Sequence, residues 1–469
     1  MKKRIVINPL TRISGFMEID VTLEQNKIVD VKTKGNIFRG FEQIMVGRSP
    51  FDAIYLTQRI CGICSTAHSV ASSLALEDAL GVAVTELGHY IRDALHCCEF
   101  LQNHIRHFYQ FTLPDFVKLP EVSSIFIARH TDFRLPQQTN ELLVQHYFES
   151  LQVSRLAHQM LSVMGGKAPH NHGVFVGGVA TPPNADQIVR MKSILQTINA
   201  FIEDKMIPDV YIIAKYYDDY FHMGKGPGHL MSFGAFNHYK DLGTQYVDPL
   251  VLIHNQIQPF NRDLIKEEID YSWYKGKSSY GPLETMSEPN RDKPQGYSWV
   301  KAPRYDNLPF EVGPLARLWL NGEYRRGISA MDRTIARALE AKKIAGILDA
   351  LLNHITPGIS VQQTWTIPEK AVGTGLVDTI RGALGHWIKI ENKTLSFYQI
   401  ITPSAWDFSS MDARGIPGTA EQALLGTTIQ NPDQPVEIGR ILRSFDPCMS
   451  CATHVYQPGR EPITIEVFG

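Results

Sequence analysis

The stretch Arg59-Ile60-Cys61-Gly62-Ile63-Cys64-Ser65-Thr66-Ala67-His68 has a counterpart almost at the other end of the chain, Asp446-Pro447-Cys448-Met449-Ser450-Cys451-Ala452-Thr453-His454. A two-residue gap lets both sulfurs of a pair face one ion, and thiolates select soft or borderline metals. Four cysteines and two histidines in this pattern imply a metal centre. Spacing alone leaves structural zinc and an iron–sulfur cluster open. The separation of the pairs argues against both. Structural zinc modules draw their ligands from short local segments, because the metal replaces a core too small to fold alone. Here the pairs can meet only after a large domain has folded around them, which suits a buried functional site better than a local staple.

At 469 residues the chain can bury a large core without any metal. A charged fraction of 20% and a net charge of −2 give no basic footprint for nucleic acid and no electrostatic membrane anchor. The basic start, Met1-Lys2-Lys3-Arg4, leads into an apolar run that Asn8, Pro9 and Arg12 interrupt before it reaches signal-peptide length, so it reads as a first strand. No uninterrupted apolar run is long enough to cross a membrane. Membrane association would therefore come through a partner. The other two cysteines, Cys97 and Cys98, read as core residues on a helix, where neighbours cannot readily pair with each other.

Residues 3–34 alternate in short apolar runs (Ile5, Ile7; Met17, Ile19, Val21; Ile28, Val29, Val31) broken at Asn8-Pro9 and Asn26, which predicts a small antiparallel sheet. Beyond the first cysteine pair the period changes. Ile91, Leu95, Cys98, Leu101, Ile105 and Phe108 mark one face of a long helix. A second helix is predicted over 140–165 with Val144, Phe148 and Leu151 on its apolar face. A third starts at Asn184, where Gln187 completes a capping-box pattern, and a fourth spans about 328–355, stopped by Pro357-Gly358. Four such helices suggest a central bundle. The fold class is therefore α+β, predominantly α, a long-helix bundle with small antiparallel sheets at the periphery. The stretch from about 222 to 318, dense in Gly, Pro, Tyr and Trp, reads as an irregular insertion covering a partner or an active site. No linker or internal repeat divides the chain, so residues 1–454 read as one compact catalytic unit.

The two cysteine motifs make the chain resemble the large, catalytic subunit of nickel–iron hydrogenases over essentially its full length. Phe38-Arg-Gly-Phe-Glu42, Gly177-Gly-Val179, Gly296-Tyr-Ser-Trp-Val-Lys-Ala-Pro-Arg304, Glu311-Val-Gly-Pro-Leu-Ala-Arg317 and Arg381-Gly-Ala-Leu-Gly-His-Trp387 extend the likeness. The resemblance implies that Cys61 and Cys448 are terminal thiolates on nickel and that Cys64 and Cys451 bridge nickel to iron. It implies an iron carrying CO and CN⁻ supplied by maturation proteins, with Arg381 and Ser404 orienting the cyanides. Glu42, His454 and the carbonyl of Ile400 match a magnesium site, suited to a hard cation with few protein ligands. His68 is implied to support the cluster from behind its ligands, and Asp446 stands beside the second pair. The implied reaction is H₂ ⇌ 2H⁺ + 2e⁻. Heterolysis needs a Lewis acid and a base; the metal pair is the acid, Cys448 the chosen base and Arg381 the competing one. No further cysteine set can hold iron–sulfur clusters, so a separate small subunit carrying them is implied as partner.

Departures from the family pattern bear on the proton. The family has Glu where this chain has Ser14, Asp where it has Asn103, and Pro where it has Ile380. The usual proton exit is thus altered, with Ser14 and Asn103 on the possible route and a path past Asp446 as alternative. Three other readings compete: a non-catalytic relative in respiratory complex I, which lacks the four cysteines; a hydrogen sensor, which ends near the final His; and a structural four-cysteine zinc protein. Residues 455–469 are expected to be a C-terminal extension cut off after His454 by a maturation endopeptidase once nickel-insertion proteins have acted. The tail resembles that of the membrane-associated uptake type, which places the heterodimer on the periplasmic, outer face through the small subunit. The cytoplasm is the alternative.

Overall fold

Four long helices form the framework that the periodicities predict. The computed structural model describes residues 2–121, 130–276, 279–358 and 364–452, and in it these helices run Glu86–Arg106, Gln137–Gly165, Ala185–Phe201 and Ala330–His354. They pack as a ring: the first lies against the second and fourth, and the third against the same two. Their starts follow from the sequence. Asn184 and Gln187 form the predicted capping box, and Ser329 and Asp332 form another at the fourth helix. Ile91, Leu95, Cys98, Leu101 and Ile105 are buried as the spacing requires, and Cys97 joins them in the core. The first helix runs on into a π-turn at His107–Thr112.

The second helix buries a different face from the one predicted. Phe148 is 53% exposed and Leu151 44%, while Leu143, Ser150, Val153, Ser154, Ala157, Met160 and Leu161 point inwards. Small residues let the neighbouring helices approach closely, and the Ser150 hydroxyl is satisfied by the Tyr147 carbonyl at 2.6 Å. Contact distance, rather than side-chain size, chose the packed stripe.

The N-terminal sheet is antiparallel in the order Lys2–Ile7, Met17–Glu24, Lys27–Gly35. Gln25 and Asn26 both take positive φ in the tight turn between its last two strands. Met17, Ile19, Val21 and Leu23 are buried in strict alternation. Val29, predicted among the inward residues, is instead exposed. Thr22 pairs with Asp30 and Leu23 with Ile28, so Val29 is the extra residue of a bulge.

Two elements without any amphipathic signal position the site. Helix Ser65–Leu80 is buried on all sides over most of its length, and a hairpin sheet, Lys370–Thr379, Gly382–Glu391 and Thr394–Ile401, packs against it. The approach is close enough to require glycine. A Cβ on Gly375 would lie 2.1 Å from the Ala71 carbonyl oxygen, and one on Gly373 2.0 Å from that of Ala75. Thr379 pairs with Gly382, so Ile380 and Arg381 form a two-residue hairpin tip.

Between 222 and 318 the chain is less irregular than its composition predicts. It holds short strands, among them Ile265–Glu268 paired with Ala302–Tyr305, and a helix at Pro314–Leu320. No helix among the described residues is long and apolar enough to cross a membrane.

Candidate metal centre

The four cysteines of the two motifs converge. Their sulfurs all lie within 4.8 Å of one another, and all four side chains are buried. Cys61 Sγ is 3.4 Å from Cys448 Sγ, Cys64 Sγ is 3.2 Å from Cys451 Sγ, and Cys448 and Cys451 are 3.0 Å apart. Cys64 is the residue at which helix Ser65–Leu80 begins, so its sulfur is aimed by the best-packed helix of the site. The second pair sits on a single turn, Met449–Ala452, and is held from outside. Ser14 N–H donates to the Pro447 carbonyl at 3.1 Å and Met449 N–H to the Ser14 carbonyl at 2.7 Å. Cys448 N–H donates to Ser404 Oγ at 3.0 Å.

Four buried sulfurs this close cannot all ionise unaided. The neighbouring sulfurs, and then burial, push the Cys64 thiol well up; burial, and then Cys448, do the same to Cys451. A multivalent cation reverses that penalty, because it stabilises the thiolate form of every ligand at once. The donor set therefore fits a soft or borderline metal.

A charged wall stands beside the sulfurs. Arg381 donates through Nε to the Asp446 carbonyl at 2.9 Å and through Nη2 to Asp446 Oδ1 at 3.0 Å. Asn103 Nδ2 donates to Asp446 Oδ2 at 2.7 Å, and Asn103 Oδ1 accepts from Arg381 at 3.3 Å. Asp446 holds this position at φ 61°, a left-handed conformation that a non-glycine residue keeps only when its surroundings over-determine it. Burial would push its carboxyl up. The Arg381 and Arg337 guanidiniums and the Asn103 amide outweigh burial and hold it well below the usual carboxylate range. His107, 3.8 Å away, is pushed down to about 3 by burial and is neutral there. Among the described residues Arg381 Nη1 has no hydrogen-bond partner although it is buried. It lines a small cavity with Cys64, Cys448, Cys451, His68, Thr379 and Ser404.

His68 lines the same cavity, and burial pushes it down to about 4. Its Nδ1 meets His386 Nε2 at 3.2 Å, and His386 Nδ1 meets the Tyr398 hydroxyl at 2.8 Å. Of the predicted magnesium group, Glu42 is buried and accepts the Ile400 N–H at 3.1 Å; His454 lies outside the described residues. The Ser14 hydroxyl is 3.5 Å from that of Ser450.

Three further residues belong to this neighbourhood and carry no role in the sequence reading. Lys301 lies 3.7 Å from Glu42 and 3.3 Å from Glu267, two buried carboxylates. Burial pushes Glu267 up to about 7 against the pull of Lys301. Arg39 donates to the carbonyls of Arg59 and Ile60, just before the first pair, and to that of Ser450, inside the second. One guanidinium thus ties the two cysteine loops together. For two of the three the hint was present, since Arg39 and Lys301 fall within the motifs Phe38–Glu42 and Gly296–Arg304, whereas Glu267 lies in neither.

Comparison with known proteins agrees with this geometry. The family model for nickel-dependent hydrogenases matches residues 39–126 and 124–454. The chain is 35% identical to the periplasmic [NiFeSe] hydrogenase large subunit of Desulfomicrobium baculatum, over 97% of this chain and 95% of that protein. It is 29% identical to the hydrogenase-2 large chain of Escherichia coli K12, over the whole of both. The solved H₂-activated [NiFeSe] hydrogenase of D. baculatum superposes with a TM-score of 0.93, covering 97% of this chain and 100% of that one at 35% identity. The Ni-Fe-Se hydrogenase of D. vulgaris Hildenborough in its reduced state gives the same TM-score and identity. In this chain all four clustered positions are cysteine. With its full-length match and its buried four-sulfur cluster, the chain belongs to the nickel-dependent hydrogenase family, as the catalytic large subunit of an oxidoreductase that cleaves H₂.

Proposed function

We propose that Cys61 and Cys448 are terminal ligands of nickel, that Cys64 and Cys451 bridge it to an iron carrying CO and CN⁻, and that Cys448 is the base in heterolysis. The observation that carries this reading is the buried cluster of four sulfurs, with a guanidinium nitrogen on its rim that has no partner among the described residues. When bound, the metal pair supplies the Lewis acid at which H₂ is polarised. The protein's own part is to hold, orient and exclude water. Arg381 Nη1 and the Ser404 hydroxyl, whose oxygen already accepts Cys448 N–H, are donors lining the small cavity, which suits cyanide as acceptor. Arg381 is already protonated and so is not available as the base. Although burial opposes its charge, Asp446 and the cysteine sulfurs hold the guanidinium protonated, with its pKa pushed well above the usual arginine value.

Magnesium on Glu42, the Ile400 carbonyl and His454 is supported by the two buried carboxylates, Glu42 and Glu267, that lie together beside Lys301. Electrons leave to an iron–sulfur small subunit, since Cys97 and Cys98 are core residues and the relatives are named large subunits. Residues 1–454 form the catalytic unit, and 455–469 are removed by a maturation endopeptidase after nickel insertion; the family match ends at residue 454. The relatives include a periplasmic and an uptake hydrogenase, which supports a place on the outer face of a membrane through the small subunit. Protons pass Ser14, whose backbone pairs with the residues flanking Cys448, or pass Asn103 and Asp446.

Replacing Cys64 or Cys451 by Ser tests the assignment, because oxygen is a harder and poorer bridge. Both variants are expected to lose nickel and H₂ oxidation together. Wild-type protein that takes up zinc and no nickel after co-expression with the maturation proteins contradicts the reading.

A further inference from the structure

Helix Ser65–Leu80 lacks an ordinary N-cap. The residue at that position is Cys64, and its side chain makes no capping hydrogen bond because its sulfur faces the other three cysteines. The N–H groups normally taken by a cap side chain are those of the second and third helical residues. In this fold both go to Glu99, a residue of the neighbouring helix Glu86–Arg106. Thr66 N–H donates to Glu99 Oε2 at 2.6 Å and Ala67 N–H to Glu99 Oε1 at 3.0 Å. The Thr66 hydroxyl adds a third donor to the same carboxylate, its oxygen being occupied by Asn171 Nδ2 at 2.9 Å. Glu99 is 2% exposed, and no cation pairs with it among the described residues.

We propose that Glu99 is a positioning residue of the metal centre, a carboxylate cap supplied from a neighbouring helix that frees the Cys64 sulfur for the metal and sets its electron density. The first part is geometric. Glu99 and Asn103 lie four residues apart on one helix, hence on one face. One fixes the turn that carries Cys64, and the other fixes Asp446 and Arg381, so a single helix sets the distance between the sulfurs and the charged wall. The second part is electrostatic. A helix N-terminus carries a partial positive charge that draws electron density from a thiolate placed on it. Both oxygens of Glu99 accept hydrogen bonds at that terminus; burial pushes its carboxyl up to about 8 although those donors pull it down, so it carries its full charge above that pH. Once Glu99 is ionised, its negative charge offsets the dipole, so the Cys64 sulfur becomes a stronger donor to whatever it binds. Charge and hydrogen bonding near ligating sulfurs tune metal centres in general.

The inference rests on the metal reading above, and the experiment separates the two. Wild type and Glu99→Gln are purified as holoenzyme with the maturation proteins, nickel and iron are quantified, and infrared bands of metal-bound CO and CN⁻ are recorded beside the midpoint potential. Gln keeps the shape and one acceptor oxygen but not the charge. At a pH high enough to keep Glu99 ionised, the expected result is assembled centres whose bands move together to higher wavenumber, a more positive midpoint potential, and faster hydrogen exchange at the Thr66 and Ala67 amides. At the same pH, Thr66→Val leaves Glu99 ionised and removes one donor, and it shifts the bands to lower wavenumber. It decides the question should Glu99→Gln not accumulate in loaded form. Unmoved bands in a loaded Glu99→Gln, or in Thr66→Val, overturn this proposal. Absence of CO and CN⁻ bands in wild type instead overturns the metal reading itself.

Discussion

The two cysteine pairs are held in opposite ways. Cys64 begins a sixteen-residue helix buried on almost every side and locked to a hairpin sheet at glycine distance. Cys448 and Cys451 sit on one turn, kept in place by the backbone of Ser14, the hydroxyl of Ser404 and the guanidinium of Arg39, none of which is near them in sequence. The first pair is rigid through its own element, whereas the second becomes rigid only when distant parts of the chain arrive. Closing the second loop last would let a site with few local supports admit metals before it seals, which agrees with the proposed removal of residues 455–469 as a final step.

The largest effect should come from the platform under the first pair. In Gly375→Ala the new Cβ meets the Ala71 carbonyl oxygen at 2.1 Å, so the helix must shift. Overpacking of this kind costs about 3 kcal/mol. Thermal denaturation should show that loss, and nickel content should fall with it. An unchanged melting temperature would mean that the first pair does not depend on this contact.

The next effect separates the pairs. Arg39→Ala removes donors to Arg59, Ile60 and Ser450 carbonyls and should cost about 2 kcal/mol, as expected for charged hydrogen bonds. Because the first pair has its own helix, hydrogen exchange should quicken around Cys448 and Cys451 more than around Cys61 and Cys64. Equal loosening at both would break the contrast. Ser404→Ala, which removes one hydrogen bond from Cys448 N–H, should cost about 1 kcal/mol and again act on the second loop alone.

The cysteine pairs were legible because their chemistry needs fixed residue types at fixed spacing, and the four bundle helices because each has an outside and an inside. Helix Ser65–Leu80 was not, since a helix buried all round carries no stripe to read. Arg381 was placed by motif alone. Its hairpin tip, Ile380-Arg381, has none of the Asn-Gly chemistry that announces a two-residue turn. Glu99 and Arg39 act through backbone groups of distant loops, which no local pattern encodes. Phe148 and Leu151 misled for the opposite reason, since large apolar residues drew attention from the small ones that pack.

The smallest effect concerns the proton. Ser14 cannot hold a proton as a stable intermediate, but its hydroxyl, 3.5 Å from that of Ser450, can pass one along a hydrogen-bonded chain. Ser14→Ala should slow H₂ oxidation and enlarge the solvent isotope effect while leaving nickel content unchanged. Unaltered rates at matched occupancy would assign the exit to the Asn103 and Asp446 side.

A nickel–iron centre on the four sulfurs is the central claim. The most direct test is the infrared spectrum of the purified wild-type protein, recorded with nickel and iron quantified in the same sample. The account predicts bands of metal-bound CO and CN⁻ with nickel and iron in equal amounts. Zinc or an iron–sulfur cluster on Cys61, Cys64, Cys448 and Cys451, with no such bands, would contradict it.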